Sequence, residues 1–349
     1  MKLARGHFEE VRNEGGSLLV RGWMLVPTSP LEELVLLVDG EPRQACPPTD
    51  REDVLQVYPH LRHSAHTGFD FRIDGPPHAG EIEIEGRAGG RAIARLRTPF
   101  RSDLETFVPL PPAEILERTI GRSSPEYYRA EGLRSYSEFR GAVERHRPLS
   151  SIRRMLDWGC GGGRNTVHFL HDGPVPEVHG CDIDGDSVAW CRESLPTGHF
   201  EHASPEPPTP YEDRFFDLVI GCSVFTHLTE PMQEAWLAEL RRVLAPGGLL
   251  VVSVHGDFAA SLHFQGADRW RRRLKRLRVG TPEARGFDDL GEDPRLGTVA
   301  PPGYYRAVFQ TRRYTMRHWS RTFEIVDYIP AGMHTYQDLV VLRRPDESP

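Results

Sequence analysis

Residues 157–163 hold the residue types with the most potential for chemistry, because a carboxylate precedes three regularly spaced glycines. Asp157 follows an apolar stretch, and Gly159, Gly161 and Gly163 come directly after it. A glycine-rich turn after a strand lets backbone N–H groups approach a ligand where any Cβ would obstruct it. A carboxylate at that point repels a pyrophosphate and attracts an ammonium group. The spacing therefore favours a nucleoside ligand that carries positive charge, which makes S-adenosylmethionine the candidate.

Two other interpretations of this segment stay open at this point. A dinucleotide-binding fingerprint, Gly-x-Gly-x-x-Gly, needs its third glycine at position 164, where Arg164 stands. An arginine there would crowd the contact between helix and strand, which disfavours an NAD-dependent oxidoreductase. An ordinary loop would also explain a glycine run.

The sequence after the turn predicts alternating strands and helices. Asp182 ends a short apolar run about twenty residues further on, and an acid at that spacing suits hydrogen bonds to ribose hydroxyls. Residues 165–171 can form the helix between these two strands. Residues 216–223 and 249–254 are predicted strands, and an amphipathic helix between them ends at a proline–glycine break at 246–248. This alternation implies a parallel sheet with helices on both faces.

Ordered motifs make residues 120–345 resemble class I S-adenosylmethionine-dependent methyltransferases. The motifs are Asp157-x-Gly159-x-Gly161-x-Gly163, Asp182, Phe216-Asp217-Leu218-Val219, Ser223-Val224-Phe225-Thr226-His227-Leu228, Leu244-Ala245-Pro246-Gly247-Gly248 and Gln337-Asp338-Leu339-Val340-Val341-Leu342. The resemblance implies an α/β fold with a Rossmann-like, seven-stranded, mostly parallel sheet and an antiparallel terminal strand. It also implies S-adenosylmethionine as the cofactor, but it does not specify the methyl acceptor.

The cofactor site that this resemblance implies has three parts. The glycine turn would hold the methionyl end, Asp182 the ribose and Ile183 the adenine, while Ser223 would lie near the donor. The predicted cofactor-binding residues are Asp157, Gly159, Cys160, Gly161, Gly163, Arg164, Asp182, Ile183 and Ser223.

Two histidines are the candidate catalytic residues. Methyl transfer is an in-line displacement, and a hydroxyl acceptor benefits from a general base. His227 and His255 both follow predicted strand ends, where ligands collect in open α/β sheets. As alternatives, His227 caps the following helix and His255 only shapes its loop. The predicted contacts to the acceptor flank two terminal antiparallel strands at 323–329 and 337–342, and they are Tyr304, Tyr305, Gln310, Tyr314, Trp319 and Gln337.

Residues 1–100 predict a separate all-β, sandwich-like domain. Short β-prone runs at 17–20, 34–38, 69–73 and 82–84 alternate with turn signals. The motifs Arg21-Gly22-Trp23, Val38-Asp39-Gly40 and Gly68-Phe69 resemble β-sandwich modules found beside bacterial glycosyltransferases and polysaccharide-pathway enzymes. That resemblance implies O-methylation of a sugar, glycan or glycosylated metabolite. A packing or dimerisation module is the alternative, and it would make the chain a homo-oligomer.

The predicted division of the chain is a β-sandwich at 1–100, a linker at 101–123 and a methyltransferase domain at 124–349. An insertion or lid occupies 256–303, and it contains an arginine-rich helical segment at 269–278 in which Trp270, Leu274 and Leu277 share a face. Such a segment is either a solvated helix, a lid for an anionic substrate or a peripheral contact with acidic lipid.

Composition excludes several classes of function. The net charge of −7 argues against a nucleic-acid partner. The sequence contains no apolar run long enough to span a bilayer and no signal peptide, and its five scattered cysteines favour buried thiols in the cytoplasm. No metal site is predicted, although ligands from separate segments can converge in space. Two other functions remain open, namely N- or O-methylation of a small natural product and a non-catalytic glycan-binding or scaffold role.

Overall fold

The computed structural model describes residues 1–61, 63–75, 77–121, 123–264, 266–277, 280–296 and 299–346. The chain divides into two compact units. The first contains Met1–Phe107 and Glu126–Arg134, and the second contains Val108–Pro125 and Ser135–Pro349. The first unit therefore takes in a segment that the sequence analysis placed in the methyltransferase domain.

The first unit consists mainly of two four-stranded antiparallel sheets, with strand orders β1-β2-β6-β5 and β4-β3-β7-β8. Apolar residues from both sheets form one shared core, so the unit is a β-sandwich. Its elements are β1 (Arg5–Glu14), β2 (Ser17–Leu25), β3 (Glu33–Val38), β4 (Glu41–Cys46), β5 (Thr49–Asp50), α1 (Glu52–Val57), β6 (His66–Asp74), β7 (Ala79–Ala88), β8 (Arg91–Arg101) and α2 (Leu104–Phe107).

Alternation along β7 explains how its residues divide between the two faces. Ile82 and Ile84 belong to the shared core, whereas Glu83 and Glu85 point to the opposite face, because successive side chains of a strand alternate. On β2, Trp23 packs with Leu25 against α1. Trp23 is therefore part of a packed apolar cluster.

The second unit is built on a seven-stranded sheet of order β11-β10-β9-β12-β13-β17-β16. Strands β9 to β13 pair in parallel, whereas β17 pairs antiparallel with both β13 and β16. The predicted Rossmann-like sheet with an antiparallel terminal strand is confirmed. The strands of this sheet are β9 (Arg154–Trp158), β10 (Glu177–Asp182), β11 (His199–His202), β12 (Phe216–Gly221), β13 (Leu244–Val254), β16 (Glu324–Met333) and β17 (Gln337–Arg343). A separate two-stranded sheet contains β14 (Phe287–Glu292) and β15 (Arg306–Gln310).

Helices lie before and between the strands of the second unit, and residues 126–134 of one of these helices belong to the first unit. They are α3 (Ala113–Ile120), α4 (Pro125–Glu144), α5 (Thr166–Asp172), α6 (Gly185–Ser194), α7 (Glu230–Val243), α8 (Asp257–His263), α9 (Gly266–Lys275), α10 (Pro282–Arg285) and α11 (Arg312–Trp319). Helix α3 lies inside the predicted linker at 101–123.

The proline–glycine segment at 246–248, which was predicted to end a helix, lies inside a strand in the structure. Helix α7 ends at Val243, and β13 begins at the next residue. Leu244 pairs with Phe216 and Leu249 pairs with Leu218, so the residues between Leu244 and Leu249 form a bulge inside the strand. The proline and glycines therefore shape a strand rather than separate it from the helix.

The predicted insertion at 256–303 contains α8, α9, α10 and β14, and β14 pairs antiparallel with β15. In its arginine-rich segment, Leu274 and Leu277 are exposed, while Arg272 and Arg276 bind the buried Asp288 at 2.6 and 3.0 Å. The side chain of Trp270 and the whole of Arg278 lie outside the described residues. Across the described ranges, no helix is both long and apolar enough to cross a membrane.

Candidate functional site

A cavity opens at the carboxyl ends of β9, β10 and β12 in the second unit. The parallel strands bring their following loops to the same edge of the sheet, as open α/β sheets do at their ligand sites. The residues that line the cavity are Arg118, Thr119, Trp158, Gly159, Cys160, Gly161, Arg164, Asn165, Cys181, Asp182, Ile183, Asp184, Ser187, Ala203, Cys222, Ser223, Val224, His227, Leu228, Trp236, Arg295, Leu296, Tyr304 and Tyr305.

The glycine turn forms one wall of this cavity. Gly159, Gly161 and Gly163 have φ values of +75°, +51° and +79°, a region that favours glycine. A Cβ at Gly159 would lie 2.4 Å from Val224, and one at Gly163 would lie 2.6 Å from Leu195. The turn therefore requires glycine for its conformation and for close packing, and it leaves the backbone open toward the cavity.

Asp182 at the end of β10 fixes the turn from the neighbouring strand. Its Oδ2 accepts a hydrogen bond from the Gly161 N–H at 2.7 Å, and its Oδ1 accepts one from the Asp184 N–H at 2.8 Å. Burial raises the pKa of this carboxyl, and the two backbone donors oppose that shift. Each oxygen keeps a second lone pair, so the half-buried carboxylate can accept two more hydrogen bonds from a diol.

Asp157 is fully buried at the carboxyl half of β9, and neither it nor Gly163, both predicted to bind the cofactor, is among the residues that line the cavity. Its Oδ2 accepts a hydrogen bond from Thr166 at 2.7 Å, but its Oδ1 has no partner among the residues described. Burial raises the pKa of Asp157 to about 6, and the Thr166 hydrogen bond offsets part of that shift. A buried carboxylate oxygen without a donor is costly, so this position suits a ligand that brings a cationic donor.

Asn165, the residue before Thr166, supplies a second buried oxygen of this kind. It lines the cavity, and its Oδ1 also finds no partner in the described part of the chain. Asp157 and Asn165 therefore fit S-adenosylmethionine, whose methionyl ammonium group donates hydrogen bonds and carries positive charge. Arg164 also lines the cavity, and its Nη2 lies 3.6 Å from the Cys222 Sγ.

Ser223 follows β12 in a left-handed conformation, with φ of +61°. Its N–H donates to the Ser253 Oγ at 2.7 Å, and its Oγ accepts a hydrogen bond from the Gln337 Nε2 at 2.9 Å. The same Gln337 nitrogen lies 3.5 Å from the His255 Nε2. A chain of side chains thus runs from His255 to Ser223 at the cavity wall.

His255 itself does not line the cavity. Its Nδ1 lies 3.0 Å from the Val308 carbonyl oxygen, and because a carbonyl only accepts, this nitrogen carries the proton. Its Nε2 lone pair faces Gln337 instead of a ligand. Burial lowers the pKa of His255 to about 3, so the ring is neutral.

His227 lies in the short 3₁₀ helix Phe225–His227 and does line the cavity. Its Nδ1 donates to the Arg306 carbonyl oxygen at 2.7 Å, so the lone pair is on Nε2. The ring stacks on Tyr305, with centroids 3.9 Å apart and planes 17° apart. Burial lowers the pKa of His227 to about 4, and the bond to Arg306 opposes the shift. This imidazole is therefore neutral and held in one tautomer.

Only some of the residues predicted to contact the acceptor line the cavity. Tyr304 and Tyr305 line the cavity. Gln310 is buried with its Nε2 bonded to Thr315, Tyr314 is buried with its hydroxyl bonded to Glu230, and Trp319 packs on Phe225 in the core. These last three side chains do not line the cavity, and Gln337 reaches it only through Ser223.

Several lining residues were missed by the sequence analysis. Arg118 and Thr119 come from α3, and Arg118 donates to the Asp184 carboxylate at 2.8 Å. Arg295 comes from the insertion and pairs with Asp293 at 2.6 Å. No motif in the sequence marks Arg118, Thr119 or Arg295 as part of the site, because the first two lie in the predicted linker and the third in the predicted insertion.

Comparison with known proteins agrees with this geometry. Residues 155–248 match a family described as a methyltransferase domain. A trans-aconitate 2-methyltransferase of Methylobacterium radiotolerans is 27% identical over 55% of this chain and 72% of that protein. A second one, of Variovorax paradoxus, is 28% identical over 45% of this chain and 56% of its own length. A tRNA (carboxymethyluridine(34)-5-O)-methyltransferase of Arabidopsis thaliana is 32% identical over 31% of this chain and 24% of that protein.

The fold, the cavity and these similarities define the class of the protein. Residues 155–248 match a methyltransferase domain, and the second unit contains the Rossmann-like sheet that the resemblance to class I methyltransferases implies. The chain is an S-adenosylmethionine-dependent methyltransferase, and S-adenosylmethionine is its cofactor. The relatives are named for unlike acceptors, and each alignment covers only part of this chain, so similarity alone does not identify the acceptor.

Proposed function

We propose that the enzyme methylates a hydroxyl oxygen of a small, uncharged acceptor such as a sugar, glycan or glycosylated metabolite. The observation that supports this most strongly is the neutral His227, whose Nε2 lone pair is in the same cavity as the glycine turn and Asp182. S-adenosylmethionine supplies a methyl group activated by its sulfonium charge. The protein has to position the acceptor, exclude water and take up one proton.

The proposed cofactor contacts follow from the position and charge of each residue. Asp157 and Asn165 accept hydrogen bonds from the methionyl ammonium, and Arg164 binds the carboxylate. Asp182 accepts from the two ribose hydroxyls, and Ile183 packs on the adenine. The left-handed Ser223 and the Cys160 backbone complete the wall near the donor.

His227 is the proposed proton acceptor. As the new carbon–oxygen bond forms, the acceptor oxygen gains positive charge and its hydroxyl proton becomes strongly acidic. A weakly basic imidazole is sufficient for that proton, and a pKa of about 4 keeps it unprotonated at neutral pH. The proton moves to Nε2, and the imidazolium then returns it to water.

In this proposal His255 acts through other side chains and does not contact the acceptor. It holds the Gln337 amide, and that amide holds the Ser223 hydroxyl at the cavity wall. His255 is therefore a positioning residue, and its loss is expected to reduce the rate less than loss of His227.

The charges around the acceptor favour a neutral molecule. Arg118 is bound to Asp184, and Arg295 is bound to Asp293. Burial raises the pKa of Tyr304 to about 12, and it also raises the pKa of Tyr305, so both phenols are uncharged. A polyanionic acceptor would need cations without such partners.

A carboxylate acceptor is the second candidate, because two of the relatives named above are trans-aconitate methyltransferases. Labelled methyl transfer from S-adenosylmethionine to methyl glycosides, nucleotide sugars and trans-aconitate separates the two. Mild alkali releases methanol from a methyl ester and leaves a methyl ether intact. Alkali-stable product from the hydroxylated acceptors supports the proposal, and labile product from trans-aconitate alone contradicts it.

The His227→Asn variant tests the role of the imidazole, because asparagine keeps an N–H donor toward Arg306 but has no Nε2. We expect kcat to fall about 100-fold with cofactor affinity unchanged. His255→Asn is the matched comparison, and its loss of kcat is expected to be smaller. In the wild type, the acid limb of kcat/KM for the acceptor should lie near pH 4 rather than near the ordinary histidine value of 6.5. Equal loss in both variants would contradict the division of roles.

The cytoplasm is the proposed location. All five cysteines are free thiols in the structure, which is typical of reducing compartments.

A further inference from the structure

Three side chains with metal-binding atoms meet on one face of the sheet in the second unit, at the ends of β10 and β11 that lie away from the cofactor cavity. Glu177 and His179 are two residues apart on β10 and therefore share a face. His179 is the register partner of His199 on the parallel strand β11. One ligand atom from each residue lies within 4.8 Å of the others.

The surroundings hold two of these side chains in place. His179 is buried, and its ring meets Tyr211, Phe215 and Phe216 edge-on. Its Nε2 lies 2.9 Å from the Glu177 Oε1, and its ring stacks on His199 with centroids 4.7 Å apart. Such packing limits the rotamers that His179 can adopt, which lowers the entropy lost when a ligand binds.

Arg154 orients the carboxylate. Its Nε donates to the Glu177 Oε2 at 3.1 Å, and its guanidinium packs over Phe215. The other oxygen, Oε1, is the one directed to His179. The carboxylate is thus supported by a second residue, as metal-ligating carboxylates commonly are.

The ligand atoms of these three side chains indicate which class of cation they would bind. Two imidazoles and one carboxylate suit Zn²⁺ and similar first-row divalent ions, whereas Mg²⁺ and Ca²⁺ prefer oxygen ligands alone. Three protein ligands leave a coordination position for water. No metal-ligand spacing is visible in the sequence, because the ligands come from two strands about twenty residues apart.

We propose that Glu177, His179 and His199 form a binding site for Zn²⁺ that ties β11 to β10. Strand β11 is short and lies at the edge of the sheet, so a bond across these two strands stabilises it. Ala203, directly after β11, and Asp182, at the end of β10, both line the cofactor cavity. The site does not depend on which acceptor the enzyme methylates.

The test uses the full chain without a histidine tag, stripped with chelator and dialysed against ZnCl₂ or MgCl₂. Bound metal is measured by mass spectrometry of the elements, and thermal unfolding is recorded alongside. His199→Ala is the informative variant, because His199 is exposed and its removal leaves the core intact. His66→Ala is the matched control, because His66 is an exposed histidine that pairs with a carboxylate, Asp50, in the first unit.

We expect one Zn²⁺ per wild-type chain and no comparable uptake of Mg²⁺. At a zinc concentration ten times the dissociation constant, the unfolding midpoint should rise by about 3 °C. His199→Ala should weaken zinc binding at least tenfold, while His66→Ala binds as the wild type does. Failure of the wild type to bind zinc at 100 times the protein concentration, or equal binding by His199→Ala, would overturn the proposal.

Discussion

Glu85 in the β-sandwich and Asp157 in the methyltransferase unit are both buried carboxylates, yet their surroundings differ. Both Glu85 oxygens are bonded, to Arg87 at 2.7 Å and to Arg95 at 2.6 Å. Asp157 has one hydrogen bond, from Thr166, and one oxygen without a partner among the described residues. The first carboxylate is fully hydrogen-bonded within the fold, and the second is only partly hydrogen-bonded.

The pKa values of Glu85 and Asp157 reflect the same difference in hydrogen bonding. Burial alone would raise the pKa of Glu85, but the bonds from Arg87 and Arg95 outweigh it and lower that pKa. Burial raises the pKa of Asp157 to about 6, and its single hydrogen bond does not compensate. A buried acid that the protein leaves incompletely paired marks a binding site better than burial or charge alone.

Of the Asp182, Asp157 and Glu85 variants, Asp182→Ala should lose the most affinity for the cofactor. The variant removes two acceptors for the ribose and also releases the Gly161 N–H that holds the glycine turn. We expect the dissociation constant for S-adenosylmethionine to rise about 30-fold, measured by calorimetry. Asp186→Ala removes an exposed aspartate four residues further on and is the control. Full affinity in Asp182→Ala would refute the ribose assignment.

Asp157→Asn should weaken cofactor binding about tenfold while stabilising the protein without cofactor. The isosteric amide keeps an acceptor for Thr166 and removes a charge that burial disfavours. Because burial raises the folded-state pKa from the ordinary value of 3.8 to about 6, we expect a gain of about 3 kcal/mol in the free energy of unfolding at pH 7.5.

The pH dependence of that gain has a defined sign. A raised carboxyl pKa means that the wild type loses stability as pH rises from about 4 to 6, through the folded-state pKa, and then no further. The advantage of Asp157→Asn should therefore be full above pH 6 and shrink at pH 5. Urea unfolding at both pH values measures it, and a gain independent of pH would contradict the proposed origin.

Glu85→Gln should destabilise the protein and leave its cofactor affinity unchanged, whereas Asp157→Asn should stabilise the protein and weaken cofactor binding. The amide replaces an oxygen that accepts from arginine with a donor, so one charged hydrogen bond is lost. We expect the β-sandwich to be destabilised by about 2 kcal/mol in urea unfolding. A change in the dissociation constant for S-adenosylmethionine would show that the comparison between the two carboxylates is mistaken.

The sequence predicted the parts of the site that depend on local pattern. The turn at 157–163 and Asp182 each follow their own strand, so hydrophobic periodicity and residue spacing were enough to predict their positions. The number of strands in the sheet and the position of Ser223 came from the resemblance to class I methyltransferases, whereas the alternation of strands and helices predicted only a parallel sheet.

The remaining parts depend on contacts distant in sequence. Arg118 and Arg295 reach the cavity from segments predicted as a linker and an insertion. Trp319 and Tyr314 were predicted to contact the acceptor and are packed in apolar clusters, because an aromatic residue near a strand end has the same pattern in either role. Glu177, His179 and His199 come together only through strand register.

A side-by-side calorimetric titration of S-adenosylmethionine into the wild type, Asp157→Asn and Glu85→Gln tests directly whether Asp157 recognises the cofactor. We expect one cofactor bound per wild-type chain, an unchanged dissociation constant for Glu85→Gln and a dissociation constant about tenfold higher for Asp157→Asn. Equal affinity in all three proteins would contradict the claim that the incompletely paired carboxylate of Asp157 recognises the cofactor.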